Sequence, residues 1–187
     1  MYISELHRAL KILNQQDVLL YPTDTVWGLG CDATSEKAVS RIFEIKQRHE
    51  SKSLIILVDS YEMLSRYIST IPESVIGYLN TPSNPTTIIY DNPKGLAKNV
   101  IANDNSVAIR LVQDEFCREL IANFGKPIVS TSANISESPT PMCFEEIDPS
   151  ILDSVDYVVN LYHEKVNTKP STILKVDKNG KIIVLRN

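Results

Sequence analysis

Cysteine is scarce in this chain. Cys31, Cys117 and Cys143 are odd in number and far apart, so they form no disulfide framework and match no zinc-ligand spacing. They read as reduced thiols in or near the core. Long apolar runs are missing too, and none approaches the roughly 20 residues that cross a bilayer. The opening stretch MYISELHRALKILNQQD lacks a signal-peptide apolar segment, so the expected compartment is the cytoplasm, with no membrane contact. Cations are not in excess either. A net charge of −4 argues against a nonspecific nucleic-acid coat, while leaving room for a local basic cleft. Repeats, low-complexity tracts and linkers are absent. At 187 residues, 43% hydrophobic and 22% charged, the chain reads as one domain over 1–187 with a sizeable core.

What is present alternates between helix and strand patterns. Leu6, Ala9, Leu10 and Leu13 fall at helical spacing behind Ser4, a candidate cap. DVLLYP reads as a strand stopped by Pro22, and GLGCDA as a second. Ser35 can cap a helix whose stripe is Ala38, Val39, Ile42 and Phe43. Asp59 and Glu62 resemble a capping box, and Pro72 can open a further helix. LIILV, TTIIY, SVAIRL, IVST and YVVN read as strands. In SVAIRL, Val107, Ile109 and Leu111 share one face and Arg110 takes the other. DEFCRELIANFGKP is a helix stopped by Gly125 and Pro127. STILKVDKNGKIIVLR is a hairpin turning at Asn179-Gly180. The expected class is α/β, a twisted mixed sheet with helices packed on it and a concave cleft for a ligand.

Four stretches carry candidate chemistry. Lys46, Arg48, His49 and Lys52 gather where a helix gives way to the strand LIILV. A charge run is ordinarily a solvated face, but strand-end loops are where open sheets bind ligands, and Arg48 with Lys52 could grip a polyphosphate. YPTDT sets three short oxygen-bearing side chains together, either as a plain turn or as a small polar site. STSANIS places Ser130, Thr131, Ser132, Asn134 and Ser136 just after a strand. A serine nucleophile there would need a base, yet no G-x-S-x-G elbow or S-x-x-K motif is present, so a hydroxyl and backbone cradle for an anion is expected and no catalytic side-chain nucleophile. Arg110, a rigid fork on a strand, suits a carboxylate as well as a structural role.

The order YPTDTVWGLG, IKQR with a lysine four residues beyond the arginine, SVAIR, KPIVSTSANIS and PSTI resembles the YrdC/TsaC family from about residue 8 to residue 186. The form resembled is the short, single-domain one. The resemblance implies a YrdC-like fold and the synthesis of threonylcarbamoyl-adenylate from L-threonine, bicarbonate and ATP, with pyrophosphate leaving. This is the first step in modifying the adenosine next to the tRNA anticodon. It implies a partner transferase complex that takes the product, and at most weak contact with tRNA. By similarity Thr25, Arg110, Ser130 and Ser171 hold threonine. Lys46, Arg48, Lys52, Ser106, Ser132, Asn134, Thr140 and Arg186 serve ATP, with Mg2+ screening the phosphates and no metal ligand assigned. In-line attack on phosphorus needs positioning and charge neutralisation rather than a nucleophile.

The sequence departs from that family at His49, where proline is usual, at Leu57, where many longer relatives carry histidine, at Glu137, where glycine is usual, and in TPSNPTT, which lacks W-P-G-P. Two other readings compete. An RNA-binding or ribosome-maturation module is opposed by the acidity and the lack of RNA motifs. A carbamoyl-phosphate-using enzyme is opposed by the lack of zinc-finger and acylphosphatase modules.

Overall fold

The computed structural model describes residues 1–48, 54–79, 85–166, 170–177 and 181–186. Helix α1 (Tyr2–Asn14) buries Leu6, Ala9 and Leu13 on one stripe. Its cap position is Met1, and Ser4 lies inside the first turn with its hydroxyl on the Met1 carbonyl at 2.6 Å. Strands β1 (Leu19–Tyr21) and β2 (Gly28–Gly30) flank the YPTDT turn, and Ser35 caps α2 (Glu36–Ile45) as its spacing predicts. Strand β3 (Ile55–Val58) follows, then α3 (Tyr61–Tyr67), whose cap is Ser60 rather than Asp59. The Ser60 hydroxyl accepts from the Met63 amide, and Asp59 accepts from Ser60.

Helix α4 (Glu73–Leu79) starts after Pro72, followed by β4 (Thr86–Asp91) and β5 (Ser106–Leu111). Asp114 caps α5 (Glu115–Phe124), and Gly125 ends it at φ +74°, a conformation glycine adopts without steric cost. Then come β6 (Ile128–Ser132), α6 (Pro149–Ser154), β7 (Tyr157–Val158), β8 (Thr172–Val176) and β9 (Ile182–Arg186). Helix α6 is capped by Asp148, a signal the sequence reading passed over. The Asn179-Gly180 turn lies outside the described residues.

The strands form one mixed sheet ordered β7-β1-β2-β6-β3-β5-β4-β8-β9. Parallel pairs β3·β5 and β4·β8 alternate with antiparallel ones, so the chain crosses the sheet repeatedly before closing with the β8–β9 hairpin. Val107, Ile109 and Val129 point into the helix-covered core, with α1, α2 and α5 packed there. The opposite face of the central strands builds the site.

Candidate functional site

Ladder partners project to the same side of a sheet. Ser130, Ile55, Ala108 and Ile89 therefore form one row across β6, β3, β5 and β4. Arg110, Thr87, Ile173 and Arg186 form the next row across β5, β4, β8 and β9. Apart from Thr87, which lies buried against Ser171, these rows floor a cavity of about 310 Å³, walled by Thr25, Gly28, Arg48, Ser132, Thr140 and Ser171. A Cβ at Gly28 would sit 3.0 Å from Ser130 Oγ and press that hydroxyl out of place. Eight of the twelve residues singled out in the sequence thus meet on one surface: Thr25, Arg48, Arg110, Ser130, Ser132, Thr140, Ser171 and Arg186.

Arg110 is 97% buried, being 3% exposed. Its Nη1 donates to Thr25 Oγ1 at 3.2 Å, and its Nη2 lies 3.0 Å from Asp24 Oδ1. The Asp24 contact is an ion pair without hydrogen-bond alignment, and Arg110 Nε is buried with no acceptor. A buried donor left without a partner is costly, so Nε is a place for an incoming oxygen. Thr25 belongs to a tight turn in which Thr23 Oγ1 accepts the Thr25 amide and donates to the Val26 carbonyl at 2.7 Å.

Arg186 crosses from β9 to clamp Ser171, with Nε and Nη2 donating to its carbonyl at 2.9 and 2.8 Å. Burial lowers the Arg186 guanidinium below its ordinary range, with the charge of Arg110 adding to the effect. Burial lowers Arg48 as well. Three guanidiniums therefore converge on a cavity whose described lining contains no carboxylate. Like charges held together in a partly desolvated site favour an anion strongly.

The remaining expected site residues lie elsewhere. Lys46 is not on the cavity wall: it is 1% exposed, and its Nζ donates to the Ser132 carbonyl at 2.5 Å and the Asn134 carbonyl at 2.7 Å. Burial lowers it to about 7, with Arg48 contributing. Asn134 is occupied by its own loop: its Oδ1 accepts from Ser132 Oγ, and its amide donates to the Ile135 and Ser138 carbonyls. It lines a second cavity of about 290 Å³ that meets the first at Thr140. Ser106 lies outside the first cavity's lining, its hydroxyl on Asp104 at 2.6 Å. Lys52 and His49 fall outside the described residues.

No described histidine is bonded to the serines of STSAN. His163 stacks on Phe144 at 3.9 Å beside the buried Trp27, and His7 is exposed on α1. Among the described residues no cluster of His, Cys, Asp and Glu could hold a metal ion. Three contributors were given no role from the sequence: Asp24 as the partner of Arg110, and the buried hydroxyls of Thr23 and Thr87. Asp24 and Thr23 were visible only as members of YPTDT, and Thr87 carried no signal beyond strand alternation. Glu137 sits at φ +73°, the left-handed region glycine favours, in the position where the resembled family usually carries glycine.

With this geometry in view, the likenesses to known proteins fall into place. The profile of the Sua5/YciO/YrdC family, described as telomere recombination, matches residues 11–187. A threonylcarbamoyl-AMP synthase of Pseudoalteromonas translucida is 35% identical over 184 residues, covering 96% of each chain. A protein of the same name from Psychromonas ingrahamii is 37% identical over 148 residues, covering 78% of each. Among solved structures, P. abyssi Sua5 complexed with L-threonine superposes with a TM-score of 0.88 at 26% identity. That match covers 100% of this chain and 54% of the Sua5 chain, so this protein spans about half the length of that relative.

Proposed function

This chain belongs to the Sua5/YciO/YrdC family, and on that premise we propose that it is a threonylcarbamoyl-AMP synthase, a nucleotidyltransferase condensing L-threonine, bicarbonate and ATP. The observation that carries the reading is the convergence of Arg48, Arg110 and Arg186 with the hydroxyls of Thr25, Ser130, Ser132 and Ser171 on one cavity. Such a surface holds one carboxylate and one polyphosphate and supplies no nucleophile of its own.

The chemistry needs none. The threonine amine bonds to the carbon of bicarbonate, water is lost, and the new carbamate oxygen attacks the α-phosphorus. The bond from that phosphorus to the β-phosphate oxygen breaks, and pyrophosphate leaves with its electron pair. Arg110 Nε, with no protein acceptor, meets the threonine carboxylate, and Thr25, Ser130 and Ser171 complete that subsite. Arg48, Arg186, Ser132 and Thr140 face the phosphates, and Lys52 is added to them on the family resemblance alone. Mg2+ arrives with ATP as part of the substrate and lowers the repulsion that in-line attack must overcome. Lys46 and Asn134 shape the STSAN loop from beneath.

The adenylate then passes to a partner transferase that modifies the adenosine next to the anticodon in tRNA. The protein's own contact with tRNA is weak, and it works in the cytoplasm. Mass spectrometry of the nucleotide product, with isotope-labelled bicarbonate, tests the reading. Label is expected in a threonylcarbamoyl-AMP ion, formed only when threonine, bicarbonate and ATP are all present. Pyrophosphate release that ignores threonine or bicarbonate would overturn it.

A further inference from the structure

The hydroxyls of the cavity do not all present the same polarity, and two buried threonines outside its lining decide which way they point. Thr23 is 1% exposed, and its Oγ1 lies 2.7 Å from the Val26 carbonyl, so its only proton goes there. Thr23 Oγ1 and Thr25 Oγ1 are 3.0 Å apart, and the proton between them must come from Thr25. One lone pair of Thr25 Oγ1 takes Arg110 Nη1–H. What Thr25 has left to offer a ligand is a lone pair.

Ser171 is set the other way. Thr87 is fully buried, and its hydroxyl meets Ser171 Oγ at 2.8 Å. A buried hydroxyl proton needs an acceptor, and Ser171 Oγ is the one beside Thr87. Ser171 is buried as well, but it lines the cavity and can give its proton to a ligand, so with a ligand bound Thr87 is the donor. The second lone pair of Ser171 Oγ takes Arg186 Nη2–H at 3.2 Å. The Ser171 proton is what remains for a ligand, in the same cavity that Arg110, with its orphaned Nε–H, lines.

We propose that Thr23 and Thr87 are positioning residues that fix the orientation of the amino-acid substrate: Thr25 accepts an N–H from its α-amine, while Ser171 and Arg110 Nε donate to its carboxylate. The inference rests on the function proposed above. The amine is the donor chosen because it neighbours the carboxylate on Cα, and Thr25 neighbours the guanidinium that takes that carboxylate. An N–H also survives carboxylation of the amine, so the same contact holds the carbamate during attack on phosphorus. Asp24, 3.0 Å from Arg110, offsets the repulsion between guanidinium and ammonium.

The test is calorimetric binding of L-threonine and of its deaminated analogue 3-hydroxybutyrate, which keeps the carboxylate and hydroxyl. Wild type should favour threonine by about tenfold or more, the worth of one well-placed hydrogen bond. In Thr23→Val the Thr25 proton loses its acceptor and turns into the cavity, so that preference should collapse. Thr23→Ser should restore it, which a merely structural defect would not allow. Thr87→Val should weaken both ligands alike, since both bear the carboxylate, and leave ATP affinity unchanged. Equal affinity of wild type for the two ligands, or an undiminished preference in Thr23→Val, would overturn the assignment while leaving the proposed function standing. That wild-type comparison decides even if Thr23→Val does not fold. Failure of wild type to bind threonine at all would instead remove the function itself, and this inference with it.

Discussion

The ammonium of Lys46 lies 2.7 Å from the carbonyl oxygen of Asn134, joining the end of α2 to the loop that follows β6. The backbone repeats the link, because the Ser136 amide donates to the Lys46 carbonyl at 2.9 Å. Lys46 has a depressed pKa of about 7, so between that value and its unfolded value near 10.5 the unfolded chain binds more protons. Stability from this group therefore rises with pH across that window and is absent below it. Lys46→Met should accordingly cost less stability at pH 6 than at pH 9, measured by denaturant melts of both proteins. A difference that shrinks towards pH 9 would contradict the buried lysine.

Arg48→Ala should leave the fold intact, because Arg48 lies past the end of α2 at the cavity wall. ATP binding should weaken by about 1.5–3 kcal/mol, the worth of one charge-assisted contact. Calorimetry with unchanged nucleotide affinity would reduce Arg48 to a surface charge.

Arg110→Lys keeps the charge but loses the fork that spans Thr25 and Asp24. A loss of about 1.5–3 kcal/mol predicts a drop of roughly 10- to 150-fold in kcat/KM for threonine. ATP affinity should change much less. Full efficiency in the lysine variant would remove Arg110 from the carboxylate.

Serine-directed fluorophosphonates should not label the protein, because neither described histidine is bonded to Ser130 or Ser132. Ser132→Ala should lower activity modestly through its lost bond to Asn134. A stoichiometric adduct at either serine, found by peptide mass mapping, would revive nucleophilic chemistry.

Glu137→Gly should stabilise the protein slightly. Relief of the left-handed strain, about 1–2 kcal/mol, outweighs the entropic cost of glycine, about 0.5–1 kcal/mol. The midpoint of thermal unfolding should rise by about 1–3 °C. A fall would mean that the contacts of the Glu137 side chain outweigh the strain of its backbone.

Much of the architecture could be read directly from local chemistry. Ser35 bounds its helix through its hydroxyl and Gly125 through its backbone freedom, and the alternation in SVAIRL separates Arg110 from its apolar neighbours. Caps were less legible where two candidates adjoin, as with Asp59 and Ser60, since either oxygen reaches the same amides. The site divides the same way. Residue types named the charged and hydroxylic players, but pairing across the chain stayed hidden. Asp24 meets Arg110, and Lys46 turns inward to Asn134, through contacts between segments more than 80 residues apart in sequence. Lys46 looked like one more surface cation because a run of like charges does not say which member has found carbonyls to bury against.

The cavity lining draws Gly28 from β2 and Arg186 from β9, with every central strand between them. Anything bound there acts as a brace between distant parts of the polypeptide. A chain still emerging from the ribosome already carries Thr25, Arg110 and Ser130, yet its recognition surface stays unfinished until β9 zips onto β8 and Arg186 closes on Ser171. The recognition surface is thus a property of the paired sheet and not of any one segment, with β9 as its clasp.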